Sequence, residues 1–162
     1  APNKFVSNLP YSVATPLVVE SLDGLPSVER WCVMVQREVA DRFFATPRTK
    51  SYGAVSVLVQ LTAERTGFHP VSRTVFRPPP NVDSALVAFR RVTSWGREFR
   101  GLKELVQAAF AHRRKTLANS LELAGLERER VVHAAEEMGL PADVRAEALA
   151  PEQFVRLAEA LQ

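Results

Sequence analysis

The chain has 162 residues, 46% of them hydrophobic, with 21 Lys+Arg against 18 Asp+Glu and a formal net charge of +3. That length bounds it to one domain, or one domain with a small appendage, of soluble globular composition. Its longest apolar runs, such as Val55–Val59, fall far short of a membrane span, and the single Cys32 excludes an intrachain disulfide.

Taken in chain order, Lys4–Ser7 reads as a short strand. Thr15-Pro16 predicts a helix start, with Thr15 as N-cap and Pro16 at the first helical position. Leu17, Val18 and Leu22 give that helix an apolar face, and Asp23-Gly24 ends it. Trp31–Val35 is a continuous apolar run, as in a strand buried on both faces of a parallel sheet. Cys32 within it is expected to be a buried small hydrophobe. Arg37–Ala45 reads as a helix with Val39, Ala40, Phe43 and Phe44 inward, closed by Thr46-Pro47. Gly53 to about Ala63 reads as another. Phe68–Val71 and Ser84–Val92 read as strands. Between them Pro78-Pro79-Pro80 excludes helix and central strand, so Phe76–Asp83 is a rigid extended loop.

The first 95 or so residues thus read βαβα(α)ββ, an α/β layer. After Trp95-Gly96 the pattern turns helical. Leu102, Leu105, Val106, Ala109 and Phe110 mark one helix, and Leu117, Leu121 and Leu123 a second, broken by Gly125. Val131, Val132, Ala135 and Met138 mark a third, stopped by Gly139-Leu-Pro141. Pro151 opens a fourth, with Phe154, Leu157 and Leu161 inward. The expected division is an α/β part over residues 1–96 and a small all-α domain over 97–162.

The charge is mild overall but unevenly spread. Arg113-Arg114-Lys115 forms a tight cluster, and Arg73, Arg77, Arg90 and Arg91 flank the proline-rich loop. A polyanionic partner fits, nucleic acid first. The local alternative for the trio is an exposed helix face. His69, His112 and His133 fall at no metal-ligand spacing, so no metal site is expected. No basic-then-apolar leader opens the chain, which sets the expectation of a cytoplasmic protein.

One short stretch carries chemistry. Asn8-Leu9-Pro10-Tyr11 ends the first strand, and strand C-termini of α/β sheets face the ligand crevice. Asn8 offers a carbonyl acceptor, and the Pro10 backbone carbonyl has no ladder role. The two acceptors can converge on one exocyclic amine, with Tyr11 stacked on the ring that bears it. That describes a pocket for a flipped-out adenine. The same residues also fit a polar strand-end turn with a core tyrosine. Phe76, held before a stiff proline loop, suits the other face of the same base, or packing beneath a surface loop.

In order, the chain contains "NLPYSVATPL", "VQREVADRF", "KSYGAVSVLVQ", "VFRPPPNVDSALV", "AFAHRRKTLANSL" and "RAEALAPEQF". Together these resemble the ribosomal RNA adenine dimethyltransferases, over nearly the whole chain. The nearest type is the bacterial small-subunit enzyme, which dimethylates two adjacent adenines near the 3′ end of 16S RNA. The resemblance implies the C-terminal part of a Rossmann-like S-adenosylmethionine-dependent methyltransferase sheet, followed by a small helical domain. It implies that Asn8 and the Pro10 carbonyl accept hydrogen bonds from the adenine amine, that Tyr11 and Phe76 sandwich the ring, and that Asn8 also lies near the cofactor. It implies that Arg113, Arg114 and Lys115 dock on RNA, mainly through phosphates and shape. The implied partner is the immature small ribosomal subunit, within ribosome biogenesis, and the implied full-length state is a monomer.

The family's methyl-donor site begins with a Gly-rich turn. The seven glycines, at 24, 53, 67, 96, 101, 125 and 139, never fall two residues apart, so no G-x-G occurs. The chain is therefore expected to be the C-terminal portion of such an enzyme, inactive alone, with most of the S-adenosylmethionine site outside it. Two alternatives stand beside this reading: a non-catalytic RNA-binding or ribosome-assembly module, and the antibiotic-resistance type that modifies large-subunit RNA.

Overall fold

A computed structural model describes all 162 residues. Its first part runs β1 (Lys4–Asn8), α1 (Ala14–Gly24), β2 (Arg30–Gln36), α2 (Arg37–Phe43), α3 (Ala54–Thr62), β3 (Ala63–Val71) and β4 (Ser84–Arg91). Then come α4 (Glu98–Phe110), α5 (Leu117–Leu123), α6 (Arg128–Glu137) and α7 (Pro151–Ala160), with 3₁₀ turns at Arg73–Val75 and Ala146–Ala148. The α/β class and the order of elements match the sequence reading. No helix is long and apolar enough to cross a membrane.

The strands lie side by side in the order β1-β2-β4-β3. β2 is parallel to β1, and β4 runs antiparallel to both β2 and β3. Trp31, Val33 and Val35 of β2 pair with Phe89, Val87 and Ala85 of β4, and all six are buried. The Trp31 and Phe89 rings stack at 5.2 Å, and Phe43 and Phe44 meet Phe89 edge-on. Each such ring contributes about 1.5–3 kcal/mol on burial. This face of the sheet carries the core.

The other face is uncovered. Val6 is 74% exposed and Leu86 37% exposed, while Cys32 and Met34 are half-buried. This corrects the expectation that β2 is buried on both faces and Cys32 enclosed. An apolar run shows no periodicity, so it cannot reveal that helices cover one face only.

Three boundaries also move. The α1 helix begins at Ala14, not after a Thr15 cap, and Val13 stands at the cap position without a side-chain cap. The cause is the turn before it. Val13 N–H donates to the Pro10 carbonyl (3.2 Å) and Leu17 N–H to Val13 (3.0 Å), so the chain is already winding by Val13. Pro16 still sits in the first turn, where an amide proton has no helical partner. The α2 helix ends at Phe43, short of Ala45, because the Gln60 side-chain amide donates to the Ala45 carbonyl (2.7 Å) and the Phe43 carbonyl (3.4 Å). β3 starts at Ala63, five residues before the predicted strand. Its first half, Glu64-Arg65-Thr66, is exposed on a sheet edge with a bulge between Arg65 and Gly67, so no apolar alternation marks it.

The helical end joins the sheet layer through buried contacts. The Tyr52 hydroxyl donates to the Leu149 carbonyl at 2.6 Å, across 97 residues. Its ring meets Phe110, which meets Phe154. Burial, then the nearby Glu152 charge, pushes the Tyr52 hydroxyl well above the ordinary tyrosine range. Arg91 fastens α1 to the sheet. Its guanidinium donates to the carbonyls of Val28 (2.8 Å), Leu22 (3.0 Å) and Leu25 (3.3 Å) and lies 5.0 Å over the Trp31 ring. Partial burial lowers its pKa.

Candidate functional site

The end of β1 is fixed by pairing. Asn8 lies opposite Met34 in the parallel ladder, and Leu9 N–H donates to the Met34 carbonyl at 3.1 Å. Leu9 is 4% exposed and packs into the core behind the strand end. Pro10 then stops the ladder, since it has no amide proton to donate. Its carbonyl accepts from Val13 N–H, which leaves one lone pair free. The Asn8 side chain is exposed and makes no hydrogen bond within the chain. Both acceptors therefore remain available to a ligand.

Phe76 arrives from the opposite side. The loop between β3 and β4 is stapled at its base, where Asp83 Oδ1 accepts from Arg73 N–H (2.9 Å) and Arg73 Nη1 donates to the Asn81 carbonyl (3.0 Å). Arg37 N–H donates to the Asp83 carbonyl (2.9 Å), tying the loop to the start of α2. A 3₁₀ turn capped by Ser72 Oγ, which accepts from Thr74 N–H at 3.3 Å, leads into Phe76. The Arg77–Pro78 bond that follows is cis.

These segments enclose an open cavity of about 510 Å³, a size typical of small-ligand sites. Asn8, Pro10, Tyr11 and Phe76 all line it, together with Met34 and Ser84. Neither of the last two carries a sequence signal of its own: Ser84 lies within the "VFRPPPNVDSALV" stretch, and Met34 within the apolar run of β2. The Tyr11 hydroxyl and Ser84 Oγ share a 3.0 Å hydrogen bond. No carboxylate or imidazole lines the cavity. The arrangement can hold a planar ring between aromatic groups and accept hydrogen bonds from its exocyclic amine. It offers no strong base.

The basic trio lies elsewhere, in the turn between α4 and α5. Arg113 is engaged by the fold, donating through Nη2 to the carbonyls of Tyr52 (2.9 Å) and Lys50 (3.3 Å), with Glu147 at 3.9 Å. Arg114 and Lys115 are exposed and make no hydrogen bond or ion pair through their side chains. No group of three His, Cys, Asp or Glu side chains is placed to hold a metal ion.

A family profile described as ribosomal RNA adenine dimethylase matches residues 1–162. The chain belongs to the ribosomal RNA adenine dimethylase family. Among similar members is the ribosomal RNA small subunit methyltransferase A of Rubrobacter xylanophilus, 49% identical over 156 residues that cover 96% of this chain and 59% of that protein. The protein of the same description from Streptomyces coelicolor is 43% identical, covering 98% of this chain and 57% of its own length. This dimethylase-family chain thus spans somewhat under three-fifths of the length of these curated relatives. A dimethyladenosine transferase structure from Plasmodium falciparum shares the fold, with a TM-score of 0.79 at 22% identity, over 97% of this chain and 66% of that one. The structure of the 23S rRNA methyltransferase ErmE matches with a TM-score of 0.64 at 28% identity, over 98% of this chain and 64% of that one.

Proposed function

We propose that this chain forms the target-base pocket and RNA-docking end of an enzyme that dimethylates two adjacent adenines at N6 near the 3′ end of small-subunit ribosomal RNA. The observation that carries the proposal is the convergence of Asn8, Pro10 and Tyr11 with Phe76, from segments far apart in sequence, on one cavity. The Asn8 side-chain carbonyl and the Pro10 carbonyl accept the two N6 protons and aim the amine lone pair. Tyr11 and Phe76 flank the ring. Among this chain's residues no carboxylate or imidazole lines the cavity, so the groups it offers the amine are these two carbonyl acceptors and no strong base. Catalysis then rests on orientation and on carbonyl dipoles facing an amine that becomes positive.

S-adenosylmethionine is the methyl donor in this proposal. The residues present fit it poorly: Asn8 is one contact, and the chain offers neither a G-x-G turn nor a carboxylate at the end of β1 or β2. We infer that donor binding needs residues outside this chain. The longer relatives and the uncovered apolar sheet face beside the open β1 edge support that inference. Within that proposal, residues 97–162 form the RNA-docking unit, with Arg114 and Lys115 on phosphates, in a cytoplasmic enzyme monomeric at full length and involved in ribosome biogenesis. The small-subunit target is preferred over the large-subunit one because the curated relatives share 39–49% identity and carry the small-subunit description.

The test is transfer of labelled methyl groups to immature small subunits. Activity of the full-length enzyme, lost in Asn8→Ala and Tyr11→Ala and absent from the chain alone, is the expected result. Activity of the chain alone would place the donor site within these residues. Retained subunit binding without activity at full length would favour an assembly factor.

A further inference from the structure

We propose that Ser84 is a positioning residue for the adenine pocket: its buried hydroxyl holds the Tyr11 side chain at the place where it receives the base. The inference builds on the proposed base pocket and adds a residue to it.

Tyr11 stands in a turn and is 40% exposed, so packing alone does not fix its ring. Its hydroxyl has one protein partner, Ser84 Oγ at 3.0 Å, across 73 residues. Ser84 is 1% exposed and is the first residue of β4. It is held on both sides, opposite Gln36 in β2 and Val71 in β3. The residue before it, Asp83, staples the loop that carries Phe76. Ser84 is therefore a rigid point, reached from one direction by Tyr11 and attached in the other to the Phe76 loop. Anchoring Tyr11 there limits the swing of its side chain before the base arrives and fixes the ring's place relative to Phe76. The entropy of ordering the ring is then not charged to base binding.

The hydroxyl pair is a neutral hydrogen bond, so breaking it should slow methyl transfer by about three- to tenfold. The loss should appear in kcat. KM for the ribosomal subunit, set by docking on phosphates, should stay unchanged. Ser84→Ala removes the one hydrogen-bond partner of a tyrosine that is 40% exposed and can turn its hydroxyl to water, so the variant should fold.

Two measurements test this. In the full-length enzyme, Ser84→Ala and Tyr11→Phe should lower kcat by similar factors, and the double variant should be no slower than either single one. Ser84→Thr, which keeps a hydroxyl, should recover most of the rate. Additive losses, or a slow Ser84→Ala beside a fully active Tyr11→Phe, would overturn the inference. Independently, 3-fluorotyrosine labelling of the full-length enzyme gives ¹⁹F resonances among which that of Tyr11 is assigned through Tyr11→Phe and that of Tyr52 through Tyr52→Phe. Ser84→Ala should shift the Tyr11 resonance and leave that of Tyr52 in place. An unmoved Tyr11 resonance refutes the anchoring whatever the kinetics. An unmutated full-length enzyme without adenine methylation refutes the proposed function instead, and the resonance still reports on the anchor.

Discussion

Replacing Tyr52 by Phe removes one oxygen at the joint between the sheet layer and the helical end. The hydroxyl donates to the Leu149 carbonyl at 2.6 Å, and both residues are 0% exposed. The substitution keeps the ring and its contact with Phe110, so hydrophobic burial changes little. The cost is the lost hydrogen bond plus a carbonyl buried without that donor, about 2 kcal/mol in all. For a chain of this size that lowers Tm by about 4–8 °C. Urea or thermal unfolding followed by circular dichroism at pH 7 measures it. The same variant tests the pH behaviour. Burial raises the folded-state pKa of Tyr52, so its stabilising effect is complete below the unfolded value near pH 10. Above that pH the unfolded chain ionises this tyrosine and the folded chain does not. Stability then falls with rising pH by up to about 1.4 kcal/mol per unit from this group. Tyr52→Phe should lack that component and lose stability less steeply above pH 10. A loss under about 0.5 kcal/mol at pH 7, with superimposable alkaline limbs, would refute the assignment of Tyr52 as the tie between the two parts.

Arg113→Ala should destabilise the fold by roughly 1 kcal/mol through its lost bonds to the Tyr52 and Lys50 carbonyls, whereas Arg114→Ala with Lys115→Ala should leave Tm unchanged. The latter pair should instead weaken RNA binding and flatten its salt dependence by about two phosphate contacts, read from log Kd against log salt. Arg91→Met should cost about 1–3 kcal/mol in urea unfolding, because three carbonyls, Leu22 and Leu25 at the end of α1 and Val28 in the loop after it, lose their donor. Phe76→Ala should weaken binding of a single-stranded RNA carrying 2-aminopurine at the target position by about 1–3 kcal/mol, followed by fluorescence quenching.

The order of elements was legible because apolar spacing along each segment is a local property. Trp31–Val35, the stripe from Leu102 to Phe110, and Phe154 with Leu157 each declare their element without help from distant residues. Failures occurred where a distant partner decides. Glu64-Arg65-Thr66 is strand only because β4 pairs with it, and Gln60 ends α2 by reaching its last carbonyls from another helix. Cys32 is half-buried because no helix covers its side of the sheet. Arg113, Arg114 and Lys115 look alike in sequence, yet only Arg113 meets the carbonyls of Lys50 and Tyr52.

The candidate site follows the same division. Asn8, Pro10 and Tyr11 are neighbours, so their acceptors and ring could be read together. A proline-rich loop marked Phe76 as stiffly held, but nothing local to it points to Asn8. The two meet because β1 and β4 lie on either side of β2, with Asn8 opposite Met34 and Met34 opposite Leu86. Ser84 then stands two residues from Leu86 at the end of β4 nearest Tyr11, on a backbone held by both neighbouring strands. Its role has no sequence signal of its own, since a serine opening a strand is ordinary. It becomes chemically distinct only when the sheet register places its hydroxyl against Tyr11. The adenine binding proposed for the cavity thus rests on a local motif, while its precision depends on a register set across the sheet. Substitutions that shift β4, even on the buried face at Val87 or Phe89, should therefore impair the pocket without touching it.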